Sequence, residues 1–519
     1  MSVQTKSQYV YSERKNNVYK PEDTINFYLP PSLALINTKN TYFVFNIKMT
    51  GTQYKACVSQ KAGIYSLIRS VQITTGDGAT VLETLDNYAF LQGLKYYYES
   101  TETKDNLAQL HEGMPSKMYL GETSCNQYVD AAENSDFFKE IEVIMPLYLS
   151  GCLYRDQIWP NLATNGLRIK MELNNINTVM QAVTAPLYEL QNGITRQASV
   201  DGGGYSEKTG YAVWFSDDSS EHPAENSTSI ILKNEEDELV TNEQRVLSAD
   251  VADPPDLFSV GQKLQISGNG TVYTVTGVTL VDQRLQVAFT PGLSAAPSED
   301  DSVNIRTDAA HNDMGFEIRA MRMNVNTVEA PGPWVQKNII GKINSGKMNF
   351  DIDSYTDYAI NVGEGSLNNT LPLNARNKRC KAMLSIPQSS HSNSTVTDSF
   401  EPAMENPRSY QYLLYNNILV PDRAVKLKRY VDGNFDATAL REQMMALNAA
   451  GFQVNTVRDP HKQFFLGRRF ALTGYSYDAM GQISLLLNYS ELSSALLMHN
   501  FMMHKRQIQV KPDGVKVVY

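Results

Sequence analysis

The sequence predicts an all-β chain of sandwich or jelly-roll type on three observations. Apolar residues alternate with period two along much of the chain, helical stripes are few, and the order of elements in the first half returns in the second. The alternation is clear from residue 42 onward, where Phe43, Phe45, Ile47 and Met49 share one face while Asn46 and Lys48 point the other way. At 141–149 the apolar face is Ile141, Val143, Met145, Leu147 and Leu149. At 167–173, Leu167, Ile169, Met171 and Leu173 alternate with Arg168, Lys170 and Glu172. Turns are expected at Gly76-Asp77-Gly78, Asn165-Gly166 and Asp432-Gly433. The clearest helix is 437–450, with Leu440, Met444 and Leu447 on one stripe, Asp436 as its N-cap and Gly451 as its stop. A weaker helix covers 86–99.

The repeat lies in order rather than identity. In the first half a strand ends at Leu149-Ser150-Gly151, a second follows at 165–174 and a third begins at Gly315. In the second half the same succession reads 464–472, 481–488 and 505–510. Earlier in each half a strand-like run, 64–75 and then 378–387, precedes the helix. Only the first half carries a long excursion, between Ile176 and Gly315. It opens with Gly202-Gly203-Gly204, which reads as a flexible joint. An acidic stretch with Asp217, Asp218, Glu221, Glu235, Glu236, Asp237 and Glu238 follows and reads as a solvated face. Residues 257–306 then form a small all-β unit, with strands at 260–266, 271–278, 285–289 and 303–305. A structureless loop of that length does not fit inside a compact domain, so the excursion is expected to be an inserted subdomain on the surface.

Composition bounds the class of function. A chain of 519 residues exceeds one hydrophobic core and calls for three or so domains. With 42% hydrophobic and 20% charged residues it is globular rather than disordered. A net charge of −10 argues against a general nucleic-acid binder. Cys57, Cys125, Cys152 and Cys380 are scattered without CxxC spacing, so free thiols are expected. The polar opening segment lacks an apolar h-region, so no secretory signal is expected, and no apolar run approaches the ~20 residues of a membrane span. The 29 Tyr suit half-buried strands and subunit contacts. Tyr96-Tyr97-Tyr98 and the run from Tyr410 to Tyr415 are candidates for such contacts, with core packing as the alternative for each. Basic clusters at Arg376-Lys378-Arg379-Lys381, Lys426-Lys428-Arg429, Arg468-Arg469 and Lys505-Arg506 read as solvated strand edges or subunit salt bridges, in preference to genome contacts.

The catalytic motifs fail on their chemistry. The stretch from Gly341 to Met348 nearly matches a phosphate-binding loop, but Met348 stands where Ser or Thr must hold magnesium. A strand-like run also follows it where a helix should open. The seven His (His111, His222, His311, His391, His461, His499, His504) include no HxH or HExxH, and a surface role is the default reading. No GxSxG elbow occurs, and Glu235-Glu236 lies in a polar stretch unsuited to a raised carboxyl pKa. The sequence thus offers no catalytic, cofactor-binding or metal-ligating residues, no cofactor is expected, and the chain is read as a non-enzyme.

Four stretches carry a family resemblance. They are Phe27-Tyr28-Leu29-Pro30 with 36–43; 144–151 with Trp159-Pro160 and 166–173; 374–385, at what reads as the first long strand of a second roll; and 410–421. Together the chain outside 193–312 resembles the double jelly-roll major capsid proteins of tailless double-stranded DNA viruses, in particular the virophage and polinton-like virus group. The large insertion departs from that pattern. The resemblance implies two tandem eight-stranded antiparallel jelly rolls with few short helices. The lack of apolar periodicity in 1–20 predicts an N-terminal arm that orders on contact with neighbours, followed by a first roll at 21–192 completed by 313–330. An inserted surface-exposed β subdomain at 193–312 and a second roll at 331–519 follow. The resemblance further implies a homotrimeric pseudo-hexagonal capsomer in an icosahedral shell around double-stranded DNA. The implied partners are neighbouring capsomers, a single jelly-roll penton protein and minor capsid proteins, with packaged DNA met only indirectly. The implied location is the virion, assembled inside the host cell and not secreted. Two other classes remain open at this level: a jelly-roll spike or glycan-binding virion protein, and a jelly-roll carbohydrate-active enzyme with two carboxylates in a cleft.

Overall fold

The computed structural model describes residues 4–14, 17–50, 56–59, 61–99, 128–129, 141–154, 158–182, 199–201, 204–215, 222–234, 263–266, 271–281, 284–298, 301–306, 315–374, 379–389, 399–400, 402–403, 407–414, 418–427, 437–454, 464–470, 475–476, 483–489, 492 and 495–518. In the second half, the strands Met348–Val362, Leu496–Lys511, Arg379–Ser389 and Leu466–Arg469 lie side by side in that order. Asn368–Leu373, Ile483–Asn488, Ser409–Leu414 and Ile418–Lys426 form the companion sheet. Counted along the chain, the two sheets run 1-8-3-6 and 2-7-4-5, which is the order of a jelly roll. In the first half Gln4–Tyr11, Gly315–Glu329, Tyr42–Thr50 and Ile141–Met145 form one sheet. Thr24–Leu29, Leu167–Leu173, Ile68–Thr75 and Val81–Asp86 form the other. The order is again 1-8-3-6 and 2-7-4-5, with every pairing antiparallel. In each half a helix, Tyr88–Glu99 or Ala437–Ala450, follows the fifth strand. The fold is a double jelly roll, and the duplication expected from the order of elements is present strand for strand.

Several expectations need correction in detail. The runs 64–75 and 378–387 are not counterparts: Ile68–Thr75 is the fourth strand of its roll and Arg379–Ser389 the third. Both are long apolar runs ahead of a helix, which gives them the same look in sequence. For the same reason 374–385 is not the first long strand of the second roll, which is Met348–Val362. The alternation at 141–149 ends as a strand at Met145, and Leu147 and Leu149 stay buried in the turn that follows. The N-terminal arm does not wait for a neighbour, because Gln4–Tyr11 pairs with Gly315–Glu329 of its own chain. A helical connector over 332–344, unseen in the sequence, joins the rolls. Asp432-Gly433 and the Asp436 cap lie outside the described residues; Gly451 ends the 437–450 helix with φ +86.

The excursion folds as its own unit. Gly204–Val213, Ser229–Asn234, Arg284–Thr290, Val272–Val281, Lys263–Ile266 and Ser302–Arg306 pair in sequence around a ring, and the last pairs back to the first. This small closed barrel has a separate core containing Leu232, Tyr273, Val287 and Phe289. Its sheet begins at Ser199–Asp201 rather than at 257, because Gly204–Val213 precedes the acidic stretch and Ser229–Asn234 lies within it. Asp217, Asp218, Glu221 and Glu235 to Glu238 themselves lie outside the described residues.

Strand registers sort the connections by end. In the first roll Leu173 stands opposite Ile68, Glu172 opposite Thr24 and Gly315 opposite Thr50. The connections at 51–67, 87–140 and 174–314, the last holding the barrel, therefore all leave from one end. The tight turns at 76–80 and 160–166 and the connector lie at the opposite end. One such turn depends on glycine: Asn165 and Gly166 adopt φ +53 and +88, and a Cβ on Gly166 would stand 2.4 Å from the Leu29 carbonyl oxygen. Gly166→Ala is expected to cost about 1–3 kcal/mol, read as a lower midpoint in thermal or denaturant unfolding.

Candidate functional site

The described residues hold no catalytic constellation, and the most developed arrangement of side chains is the junction between the two rolls. The second roll's sheet of Met348–Val362, Leu496–Lys511, Arg379–Ser389 and Leu466–Arg469 is covered on both faces. Cys380, Met383, Leu466, Met498 and Met502 face its own companion sheet. Ala382, Leu384, Ile386, Phe465, Phe501 and Met503 join a core that runs unbroken into the first roll. Rings interlock across that boundary: Trp159 meets Phe350 edge-on at 4.8 Å, and Tyr98 meets Phe465 at 5.6 Å.

Polar groups are matched along the same boundary. The Glu83 carboxylate, fully buried, accepts from Ser150 Oγ at 2.6 Å and from the Gly151 and Cys152 amides at 3.0 and 3.2 Å. It thereby fixes the 147–153 turn, whose Gly151 lies so close to the second roll that a Cβ there would stand 2.2 Å from the Asp353 carbonyl oxygen. Arg506 donates to the Leu82 carbonyl at 3.1 Å, and Tyr355 donates to the Asp86 carbonyl at 3.1 Å. Burial raises the Tyr355 hydroxyl far above its ordinary pKa, so it stays a neutral donor. Asn87 of the first roll donates to Asp357 at 2.6 Å, and His499 Nδ1 lies 2.8 Å from the same oxygen. Gln388, turned by its own bond to the Ser399 carbonyl, presents its amide oxygen to His499 Nε2 at 3.0 Å. The Gln453 amide donates to Glu99 at 2.7 Å, and Glu99 also pairs with Lys95.

The residues singled out from sequence divide as follows. Tyr98, Tyr410 and Tyr412 are core residues, while Tyr96 and Tyr97 pack partly buried against the core. Tyr415 lies outside the described residues. The basic clusters bear out the expectation in part and correct it in part: Arg379 and Lys426 are exposed, Lys426 on the edge strand Ile418–Lys426. Lys381 and Arg506 are buried, Lys381 pairing with Asp353 at 3.2 Å, and Arg468 pairs with Glu442 at 2.6 Å. These cations sit on strands that face another layer of the same chain, so they meet internal acceptors. Arg376, Lys378, Lys428 and Arg429 lie outside the described residues. His499 and His504 are likewise buried rather than superficial, since the chain around them is a strand covered on both faces. In the near-miss phosphate loop, Gly341–Asn344 is helical and Met348 opens a strand, the inverse of the phosphate-binding order. Among the described residues no group of three or more His, Cys, Asp or Glu is arranged to hold a metal ion.

The outer surface supplies a second feature. Tyr9, Tyr11, Leu33, Ile158, Trp334, Leu367, Ile418 and Leu419 are exposed apolar side chains spread over both rolls. Ile158 and Trp334 edge a cleft of about 250 Å³ at the connector end, floored by Trp159 and Phe350.

An eight-stranded unit repeated and fused in this way defines the double jelly-roll class, and solved structures of that class match. The Faustovirus major capsid protein aligns over 98% of this chain and 91% of its own, with a TM-score of 0.50 and 8% identity. The PBCV-1 virus capsid aligns over 100% and 97%, with a TM-score of 0.49 and 8% identity, and the mavirus major capsid protein over 99% and 90%, with 0.35 and 9%. No protein-family model and no curated protein matches by sequence. The Faustovirus likeness, at that identity, is one of fold, and it agrees with the strand order above.

Two outcomes test the junction. Glu83→Ala removes the acceptor of the Ser150 hydroxyl and the Gly151 amide, while the Cys152 amide keeps Ser150 Oγ, and is expected to cost about 3–5 kcal/mol in unfolding, with Glu83→Gln milder. Asp86 is raised above the ordinary carboxyl pKa by burial first, then by the charges of Asp357 and Glu172. The folded state therefore holds this proton to higher pH than the unfolded chain, and stability is lost as pH rises through the folded value. Asp86→Asn should unfold later than wild type at pH 7, by under about 1 kcal/mol because the group is partly solvated, and the difference should vanish below about pH 4.

Proposed function

We propose that the chain is a viral major capsid protein whose work is self-association and not catalysis. The observation that carries this reading is the fusion of two like rolls through one continuous core. A rigid subunit with two similar flanks lets three copies present six similar corners, which tile a hexagonal lattice. In this reading the homotrimer is a pseudo-hexagonal capsomer of an icosahedral shell around double-stranded DNA. The exposed apolar side chains on both rolls supply the centres of contacts that typically bury upward of about 2,000 Å². The division into an arm at 1–20, a first roll at 21–192 with 313–330, an insertion at 193–312 and a second roll at 331–519 belongs to the same proposal, with the arm's Gln4–Tyr11 serving as the first strand of the first roll. So do a virion location, assembly inside the host cell, and a single-roll penton protein and minor capsid proteins as partners.

The sorting of connections gives this reading a polarity. The barrel and the long connections of the first roll leave from one end, the connector and tight turns from the other. Shell subunits tolerate elaboration where no neighbour must fit, so the barrel end is assigned to the outer face and the connector end to the inner. Sedimentation velocity and negative-stain microscopy of the purified chain test the proposal. Trimers with a pseudo-hexagonal outline, or closed shells, are expected. A chain that stays monomeric at high concentration, or one that cleaves polysaccharide, overturns it.

A further inference from the structure

The N-terminal strand is attached in an unusual way. Gln4–Tyr11 is the edge of the first roll's sheet, bonded on one side to Gly315–Glu329. None of its eight residues is buried, and seven are exposed. The register explains why. Gln4, Lys6, Gln8 and Val10 stand opposite Glu329, Thr327, Val325 and Met323, of which Val325 and Met323 are core residues. Directly opposed residues share a face of the sheet. The face that would enter the core is therefore polar at three of its four positions, and only Val10 packs against the core.

What holds the strand is specific but superficial. The backbone ladder, a Lys6–Glu329 ion pair at 2.6 Å, a bond from Ser7 Oγ to Asn324 at 2.7 Å, and Arg322 over the Tyr9 ring at 5.3 Å fix the register. By contrast the root of the strand is anchored. Val18–Tyr19 pairs with Arg319 and Ile318, Tyr19 is buried, and the Asn17 side chain accepts from the Met321 amide at 2.9 Å.

We propose that Gln4–Tyr11 is an exchange arm: in the assembled shell it leaves its own sheet and completes the Gly315–Glu329 strand of a neighbouring copy. This rests on the reading of the chain as a self-assembling subunit. The ladder and the Lys6–Glu329, Ser7–Asn324 and Tyr9–Arg322 contacts form equally well between copies, since every partner is supplied by the same sequence. Little buried apolar surface opposes detachment. Tyr9 and Tyr11, 54% and 62% exposed on the outer face, are covered once the arm lies between subunits. Residues 12–17 reach about 20 Å when extended, which releases the Ser12–Met321 and Glu13–Asn26 backbone bonds and the Arg14–Asp23 pair, so exchange requires the first roll's N-terminal edge to lie at the contact with that neighbour.

Disulfide trapping separates the possibilities. Ser7→Cys with Asn326→Cys, and separately Gln8→Cys with Val325→Cys, place one opposed pair of each ladder type. Each double variant is oxidised before and after assembly and run on a non-reducing denaturing gel, with the single-cysteine variants as controls. Exchange predicts chains linked in twos and threes from assembled material only, with single-cysteine controls unlinked. Links confined within one chain after assembly, or no link in either pair, overturn the arm while leaving the shell reading intact. Absence of any oligomer on sizing removes the shell reading itself.

Discussion

The architecture depends on one constraint: a sheet of the second roll must be covered on both faces. Leu496–Lys511 carries apolar side chains to either side, Met498 and Met502 inward and Phe501 and Met503 toward the first roll. Left uncovered, that outer face would be a broad apolar surface of the kind that soluble chains do not expose. The first roll closes it with the Val81–Asp86 strand, the Tyr88–Glu99 helix and the turn that Glu83 holds. Hydrophobic contact supplies the drive, while the buried polar bonds admit one alignment only, because each unmatched group would cost about 1–3 kcal/mol.

Rigidity and polarity follow from that alignment. Thr80 bonds to Val515, Leu82 to Arg506, Asp86 to Tyr355 and Asn87 to Asp357, so residues 80–87 of the first roll cross the face of the second roll's sheet from Gly514–Val518 over Leu496–Lys511 to Met348–Val362, advancing along it from the level of Met348 to that of Asp357. The two rolls thus point the same way, and their connections fall at matching ends. The inserted barrel stands apart from this scheme. It closes its own hydrogen-bond ring and fills its own core, so it burdens neither roll.

Much of the fold was legible in the sequence wherever one face of a strand meets solvent. Leu167–Leu173 alternates cleanly and is a strand with its apolar face inward; the 437–450 helix has the expected extent and glycine stop, but the face it buries is Ala439, Gln443, Ala446, Leu447 and Ala450, with Leu440 and Met444 only partly buried. Legibility failed where burial is two-sided. The run from Leu496 to His504 has no alternation, because both faces are covered, and the strand pattern shows in the sequence only from 505. The same cause hid the junction. Glu83, Asp357 and His499 are ordinary residues in sequence, and their partners lie up to hundreds of positions away. The N-terminal strand was missed for the opposite reason, since its inward face is polar.

Native-state hydrogen exchange tests the fused block most directly. The amides of Val81–Asp86 in the first roll and of Met348–Val362 in the second should exchange with one shared, highest opening free energy, because neither strand can open without breaking the common core. Two distinct opening energies, with the junction strands exchanging sooner than the far sheet of either roll, would contradict it and leave two independent domains joined by a connector.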